Sequence, residues 1–138
     1  MMTDERRDAE RRALVEKFPR RRFAFVWDRE PRLEIILPVK QFNAVYKAKL
    51  YGLDRFPEEP PRVTPGVLLR DSRGRWMNEP SRANHLLGTY NGETWLCIYS
   101  YWDPMCSLVK TATRTGIWLT AYHCHLQTGR NLECYLPH

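Results

Sequence analysis

The sequence predicts an α+β domain with a helix at each end, a four-stranded antiparallel meander sheet between them, and a long aromatic loop before the second helix. Three observations predict it. At Pro19 the apolar spacing switches from every third or fourth residue to every second. The extended runs that follow are separated by gaps too short for parallel crossovers. The last regular stretch returns to helical spacing and closes on Thr128-Gly129. At 138 residues the chain reads as one domain, 1–138.

Residues 3–18 read as a helix. Thr3 or Asp4 serves as N-cap, Asp4 and Glu5 suit the positive helix end, and Ala9, Ala13, Leu14 and Phe18 form the apolar stripe. Pro19 stops it, having no amide to continue the ladder. Phe23, Phe25 and Trp27 then alternate as a strand does, and Asp28-Arg29-Glu30-Pro31 turns the chain. Leu33 to Val39 is the second strand. Phe42 to Leu50 is the third, with Phe42, Ala44, Tyr46, Ala48 and Leu50 on one face. Pro57, Pro60 and Pro61 force an extended segment, and Arg62 to Leu69 is a fourth strand interrupted by Pro65 and Gly66. Residues 75–104 read mostly as loop, with a tight turn at Asn91-Gly92 and a short extended piece at Thr94 to Tyr99. The final helix begins between Pro104 and Ser107 and runs to about Gln127, burying Leu108, Ala112, Thr115, Leu119, Tyr122 and Leu126. Gly116 weakens that helix by roughly 1 kcal/mol relative to Ala, which marks a close-packing point or a kink.

Composition narrows the function classes. Hydrophobic residues make up 43%, with five Trp, seven Tyr and five Phe, so the chain is globular in type and not disordered. No apolar run approaches a membrane span, and the charged opening residues lack the apolar stretch of a secretory signal; a cytoplasmic protein is expected. The net charge is +6, concentrated in Arg6, Arg7, Arg11, Arg12, Lys17, Arg20, Arg21 and Arg22. Such a face suits an acidic protein partner, nucleic acid, or plain solvation. Nucleic acid is the least favoured, because the aromatic residues fall at core spacing.

The four cysteines, Cys97, Cys106, Cys124 and Cys134, form no C-x-x-C pair, and no disulfide is expected in a cytoplasmic chain. Cys124 lies between His123 and His125, yet neighbours on a helix point in different directions and a closed zinc site needs four ligands, so no metal or other cofactor is expected. Cys97 is the best candidate for a reactive thiol. It follows a loop and a glycine turn, precedes polar Ser100, and sits among Trp95, Leu96, Ile98 and Tyr99, which anchor the segment. A merely buried cysteine is the plain alternative. Cys106, expected in the first turn of the last helix, is the rival nucleophile, because the helix dipole favours a thiolate there.

Three motifs carry a family resemblance. Phe56-Pro57-x-x-Pro60-Pro61-x-Val63 resembles the Tyr/Phe-Pro-x-x-Pro-Pro-x-Val signature of ubiquitin-conjugating (E2) enzymes. His85 upstream of Leu96-Cys97-Ile98 resembles their His-Pro-Asn and Ile/Leu-Cys-Leu segments. Trp102-Asp103-Pro104 with Ser107-Leu108 is similar to the Trp-Ser-Pro and Leu that follow their cysteine. The resemblance runs from residue 3 to about 128 and implies the ubiquitin-conjugating fold. Asn84-His85, Tyr90, Leu96 to Tyr99, Trp102, Trp118-Leu119-x-x-Tyr122 and Thr128-Gly129 are similar to bacterial E2-like proteins of anti-phage operons that signal with cyclic oligonucleotides. The sequence departs from the family at His-Pro-Asn, whose Pro-Asn is missing, and His85 lies twelve positions before Cys97.

The resemblance implies an acyltransferase that carries a protein C-terminus as a thioester on Cys97 and passes it to an unidentified target. The implied donor is a ubiquitin-like protein or a cGAS-like nucleotidyltransferase, with an E1-like activating protein as a further partner. Asn84 or Asn91 would stabilise the oxyanion, a contribution worth roughly 3 kcal/mol where it operates. His85 would position the loop or move a proton. Tyr99 and Asp103 would flank the incoming amine, Trp102 would brace the loop, and Arg7 and Arg11 would face a partner. Plainer roles are a loop hydrogen bond for His85, a turn for Asn91 and a helix cap for Asp103. A catalytically inactive interaction module of the same fold, and a conjugating enzyme of another bacterial ubiquitin-like operon, are the alternatives.

Overall fold

The computed structural model describes residues 2–136. Helix α1 spans Asp4–Lys17, and its N-cap is Thr3, whose hydroxyl accepts from the Arg6 N–H at 3.1 Å. Six strands follow: β1 Phe23–Val26, β2 Arg32–Val39, β3 Ala44–Tyr51, β4 Arg62–Thr64, β5 Leu86–Tyr90 and β6 Glu93–Leu96. Helix α2 covers Leu108–Thr128, capped by the Ser107 hydroxyl at one end and by Gly129, with φ +74°, at the other. The class is α+β, as expected, but the antiparallel sheet has six strands in the order β1-β2-β3-β4-β6-β5, not four.

The two additional strands form a hairpin inside the stretch expected to be mostly loop, with β6 overlapping the short extended piece expected at Thr94 to Tyr99. Asn91 and Gly92 both take positive φ, 53° and 74°, the geometry a two-residue hairpin turn needs. The alternation of β5 was hard to see because its second inward position is Gly88, and a bulge interrupts the pairing between Leu86 and Gly88. Two expected strands are shorter than expected. Phe42 lies in a 3-10 turn, Lys40–Phe42, and Asn43 turns left-handed before β3 starts. Beyond Thr64, Pro65 offers no N–H, and Gly66 passes so close to the Lys47 carbonyl that a Cβ would collide with it.

The β1–β3 meander is regular. Leu33 and Ile35 of β2 face Phe25 and Phe23 of β1 on one side, and Leu50 and Ala48 of β3 on the other. These core-facing residues of β2 and β3 pack in one cluster with Leu14 of α1 and Leu108, Ala112, Trp118 and Leu119 of α2. At about 25 cal/mol per Å² of apolar surface, this burial is the main force holding helices to sheet.

Each helix buries most of its expected face and departs from it at particular residues. In α1, Ala9 is exposed and Glu10 is buried, so the inward line is Arg6–Glu10–Leu14. Two charged residues on that line pair with each other, which misleads a purely apolar reading. In α2, Leu108, Ala112, Thr115, Leu119 and Tyr122 are buried as expected; Leu126 is exposed, and Trp118, Ala121 and His125 widen the buried face. Gly116 is not a close-packing point, because a Cβ there would meet nothing within 4 Å.

Candidate functional site

Cys97 is the first residue past β6. Its N–H donates to the His85 carbonyl at 2.8 Å, one step beyond the Leu86–Leu96 pair. The hairpin thus folds the twelve-residue separation back on itself and sets the two residues side by side. His85 holds φ 53°, and its N–H donates to the Arg82 carbonyl. The Cys97 side chain is half-buried, and its thiol donates to the Tyr99 carbonyl at 3.6 Å. That is a weak bond, which must be released when the thiolate forms.

The loop from Tyr99 to Ser107 is held by single side-chain bonds to distant elements. The Tyr99 hydroxyl shares a 2.7 Å hydrogen bond with Thr111 of α2. Burial pushes the Tyr99 phenol pKa up, so it is protonated near neutrality. Its ring meets Trp102 edge-on at 5.0 Å, and the Arg114 guanidinium lies 4.7 Å from its centre. The Trp102 indole N–H donates to the Pro57 carbonyl at 2.7 Å, with the fully buried Phe56 ring 6.0 Å away. Asp103 accepts from the N–H groups of Met105 and, through its carbonyl, Cys106; it builds the turn before the helix, while Ser107 caps it. Cys106 therefore precedes the N-cap and does not lie in the first helical turn where it was expected.

Two residues that the sequence did not mark anchor this loop to α1. Glu10 is 3% exposed; its carboxylate accepts from Arg6 Nε at 3.0 Å and from the backbone N–H of Leu108 at 3.0 Å. A carboxylate at the opening of α2 matches the positive end of the helix dipole. Arg6 also donates to the Cys106 carbonyl at 2.9 Å and stacks 5.1 Å from the Phe56 ring centre. The signal available in the sequence was an Arg–Glu pair at helical i, i+4 spacing.

Asn84 sits next to His85 and ties three elements together. Its N–H donates to the Ser81 hydroxyl, its carbonyl accepts from the Trp118 indole at 3.1 Å, and its Oδ1 accepts from the Leu132 N–H at 3.4 Å. Its amide Nδ2 donates to no other described residue. Asn91 is at the far tip of the hairpin, six residues of extended chain or roughly 20 Å from Cys97, which leaves it the turn and not the oxyanion. Arg7 and Arg11 are also distant from the thiol. Their guanidinium groups lie over Trp27 at 4.1 Å and Phe25 at 5.1 Å, clamping α1 to β1 at one edge of the sheet. Four strand spacings, roughly 19 Å, separate β1 from β6.

His123 and His125 have separate tasks. His123 Nε2 shares a 2.7 Å bond with Tyr46, whereas His125 accepts from the Ser72 N–H through Nε2 and donates to the Arg130 carbonyl through Nδ1. Among the described residues no cluster of three His, Cys, Asp or Glu side chains is arranged to hold a metal. Nor is any helix among them long and apolar enough to cross a membrane. Comparison with protein-family models, with curated proteins and with solved structures finds no match to the chain.

Proposed function

We propose that the protein is an E2-like acyl carrier with the ubiquitin-conjugating fold, and that Cys97 is its thioester-forming residue. The observation that carries the reading is the placement of Cys97: a half-buried cysteine at a strand end, its thiol bonded only to a carbonyl, with His85 paired against its backbone. The motifs behind the resemblance also meet in space, since Trp102 donates to Pro57 of the Phe-Pro-x-x-Pro-Pro segment. In the reaction, the Cys97 thiolate attacks the carbonyl carbon of an activated donor thioester. A new C–S bond forms, the donor C–S bond breaks, and the departing thiolate takes up a proton. An amine of the target later attacks the Cys97 thioester and expels the thiolate.

In this reading the amide of Asn84, next to His85, is the side chain assigned to the tetrahedral oxyanion, His85 orients the thiol-bearing strand end, and Tyr99 and Trp102 keep the loop in place. The donor is the C-terminus of a ubiquitin-like protein or of a cGAS-like nucleotidyltransferase in a bacterial antiviral operon, loaded with the help of an E1-like protein. The test is a loading assay with the activated donor. An adduct cleaved by thiols should form on the parent protein and on Cys106→Ser, while Cys97→Ser should give an oxyester or none. Loading that persists undiminished in Cys97→Ser refutes the carrier. A Cys97 that resists thiol reagents in the folded protein favours an inactive interaction module.

A further inference from the structure

A second site lies at the other edge of the sheet. Between α1 and β1 runs a cleft of about 420 Å³, lined by Arg11, Arg12, Val15, Glu16, Arg20, Phe23, Ala24 and Phe25. Its floor is apolar, from Val15, Phe23, Ala24 and Phe25; its rim carries three arginines against one glutamate. β1 is an edge strand, paired only with β2. The Phe23 N–H turns away from β2 to the Arg20 carbonyl. By strand alternation the N–H and C=O of Phe25 also point outward, and they meet no partner among the described residues. Arg12 and Arg20 are exposed and form no ion pair with a described residue.

We propose that this cleft binds an extended acidic peptide segment of a partner protein, which pairs with the free edge of β1 as an added strand. Main-chain bonds to Phe25 would supply the pairing, alternate apolar side chains would enter the floor, and carboxylates would meet Arg11, Arg12 and Arg20. Charge selects the occupant: a second copy of this chain would bring the same arginines face to face and be repelled. The proposal does not depend on the chemistry of Cys97.

The probe is a labelled synthetic octapeptide alternating Glu with Val or Ile, titrated against the intact protein by fluorescence anisotropy. Saturable binding is expected, with the Phe25 backbone amide resonance shifting on titration. The Arg12→Glu/Arg20→Glu variant, whose changes are both at exposed positions, should bind about tenfold more weakly at unchanged circular dichroism. The same peptide methylated on alternate backbone nitrogens should lose binding, and Cys97→Ser should bind as the parent does. Equal binding of the methylated peptide, or of an octaglutamate, would reduce the site to plain charge attraction and overturn the strand pairing. No saturable binding would mean that the arginines merely guard an edge strand against aggregation, which also overturns it.

Discussion

The β1–β3 meander and the loop that follows Cys97 are stabilised in opposite ways. In the meander, β2 and β3 pair over eight successive positions, from Arg32–Tyr51 to Val39–Ala44, and every inward side chain of β2 is buried. A single lost contact there is shared among many. The Tyr99–Ser107 loop has no ladder. It is held by Trp102 to Pro57, Tyr99 to Thr111, Arg6 to Cys106 and Glu10 to Leu108, each bond joining residues far apart in the chain. Distributed packing therefore determines whether the protein folds, whereas a few individual bonds determine how the loop beside the thiol is held.

Substitutions can break this contrast. Ile35→Ala should cause the largest loss of stability, about 2–5 kcal/mol by denaturant titration, since Ile35 is wholly buried in the meander. Under conditions where the variant stays folded, the alkylation rate of Cys97 should be unchanged. Glu10→Ala should cost about 1–3 kcal/mol, because it leaves the Leu108 N–H without its acceptor. It should also speed Cys97 alkylation, and Glu10→Gln, which keeps an acceptor, should lie between. Trp102→Phe removes the donor to Pro57 and part of the ring packed against Phe56 and Tyr99, and should cost about 1–2 kcal/mol. Its effect on Cys97 alkylation should still exceed that of Ile35→Ala. Equal effects on the thiol from Ile35→Ala and Trp102→Phe would erase the distinction between the two regions.

The smallest effect is a pH dependence at the helix–sheet contact. Burial lowers the His123 pKa below the ordinary 6.5. Between 6.5 and the lowered value the unfolded chain holds a proton that the folded chain does not. This contribution to stability is complete above 6.5 and declines as the pH falls through that window. The opposite limit comes from its partner: burial raises the Tyr46 phenol to about 12, so stability falls as the pH rises above 10 and the unfolded phenol ionises. Thermal melts of His123→Asn against pH should lack the acid-side slope. The carboxylates lowered by ion pairs and hydrogen bonds lose their contribution in a separate window, Glu34 as the pH falls below 4.5 and Asp71 as it falls below 3.8.

Elements with a local cause were legible without coordinates. Pro19, Gly129 and Thr3 bound the helices through backbone chemistry carried by those residues themselves, whereas the cap of α2, expected at Asp103, lies at Ser107. The β2 alternation is visible because one face meets core and the other does not. Part of the candidate site was legible for the same reason: Cys97 and His85 flank a stretch turned by Asn91-Gly92, although the hairpin itself was hidden by Gly88 at an inward position. What was not legible is charged or long-range. Arg6 and Glu10 look like two more residues of a solvated basic helix until α2 presents its open N–H groups to them.

By itself, then, the sequence determined the α+β class, the ends of α1, the close of α2, the meander of the first three strands and the place of Cys97 after the Asn91-Gly92 turn, because each follows from the preferences of a residue and its close neighbours. Only the tertiary structure decided the sixfold sheet, the facing of Glu10 inward, the pairing of His85 with Cys97 and the bracing of the loop. Those depend on which distant groups arrive at hydrogen-bonding distance, and a buried carboxylate is stable only where such groups meet it.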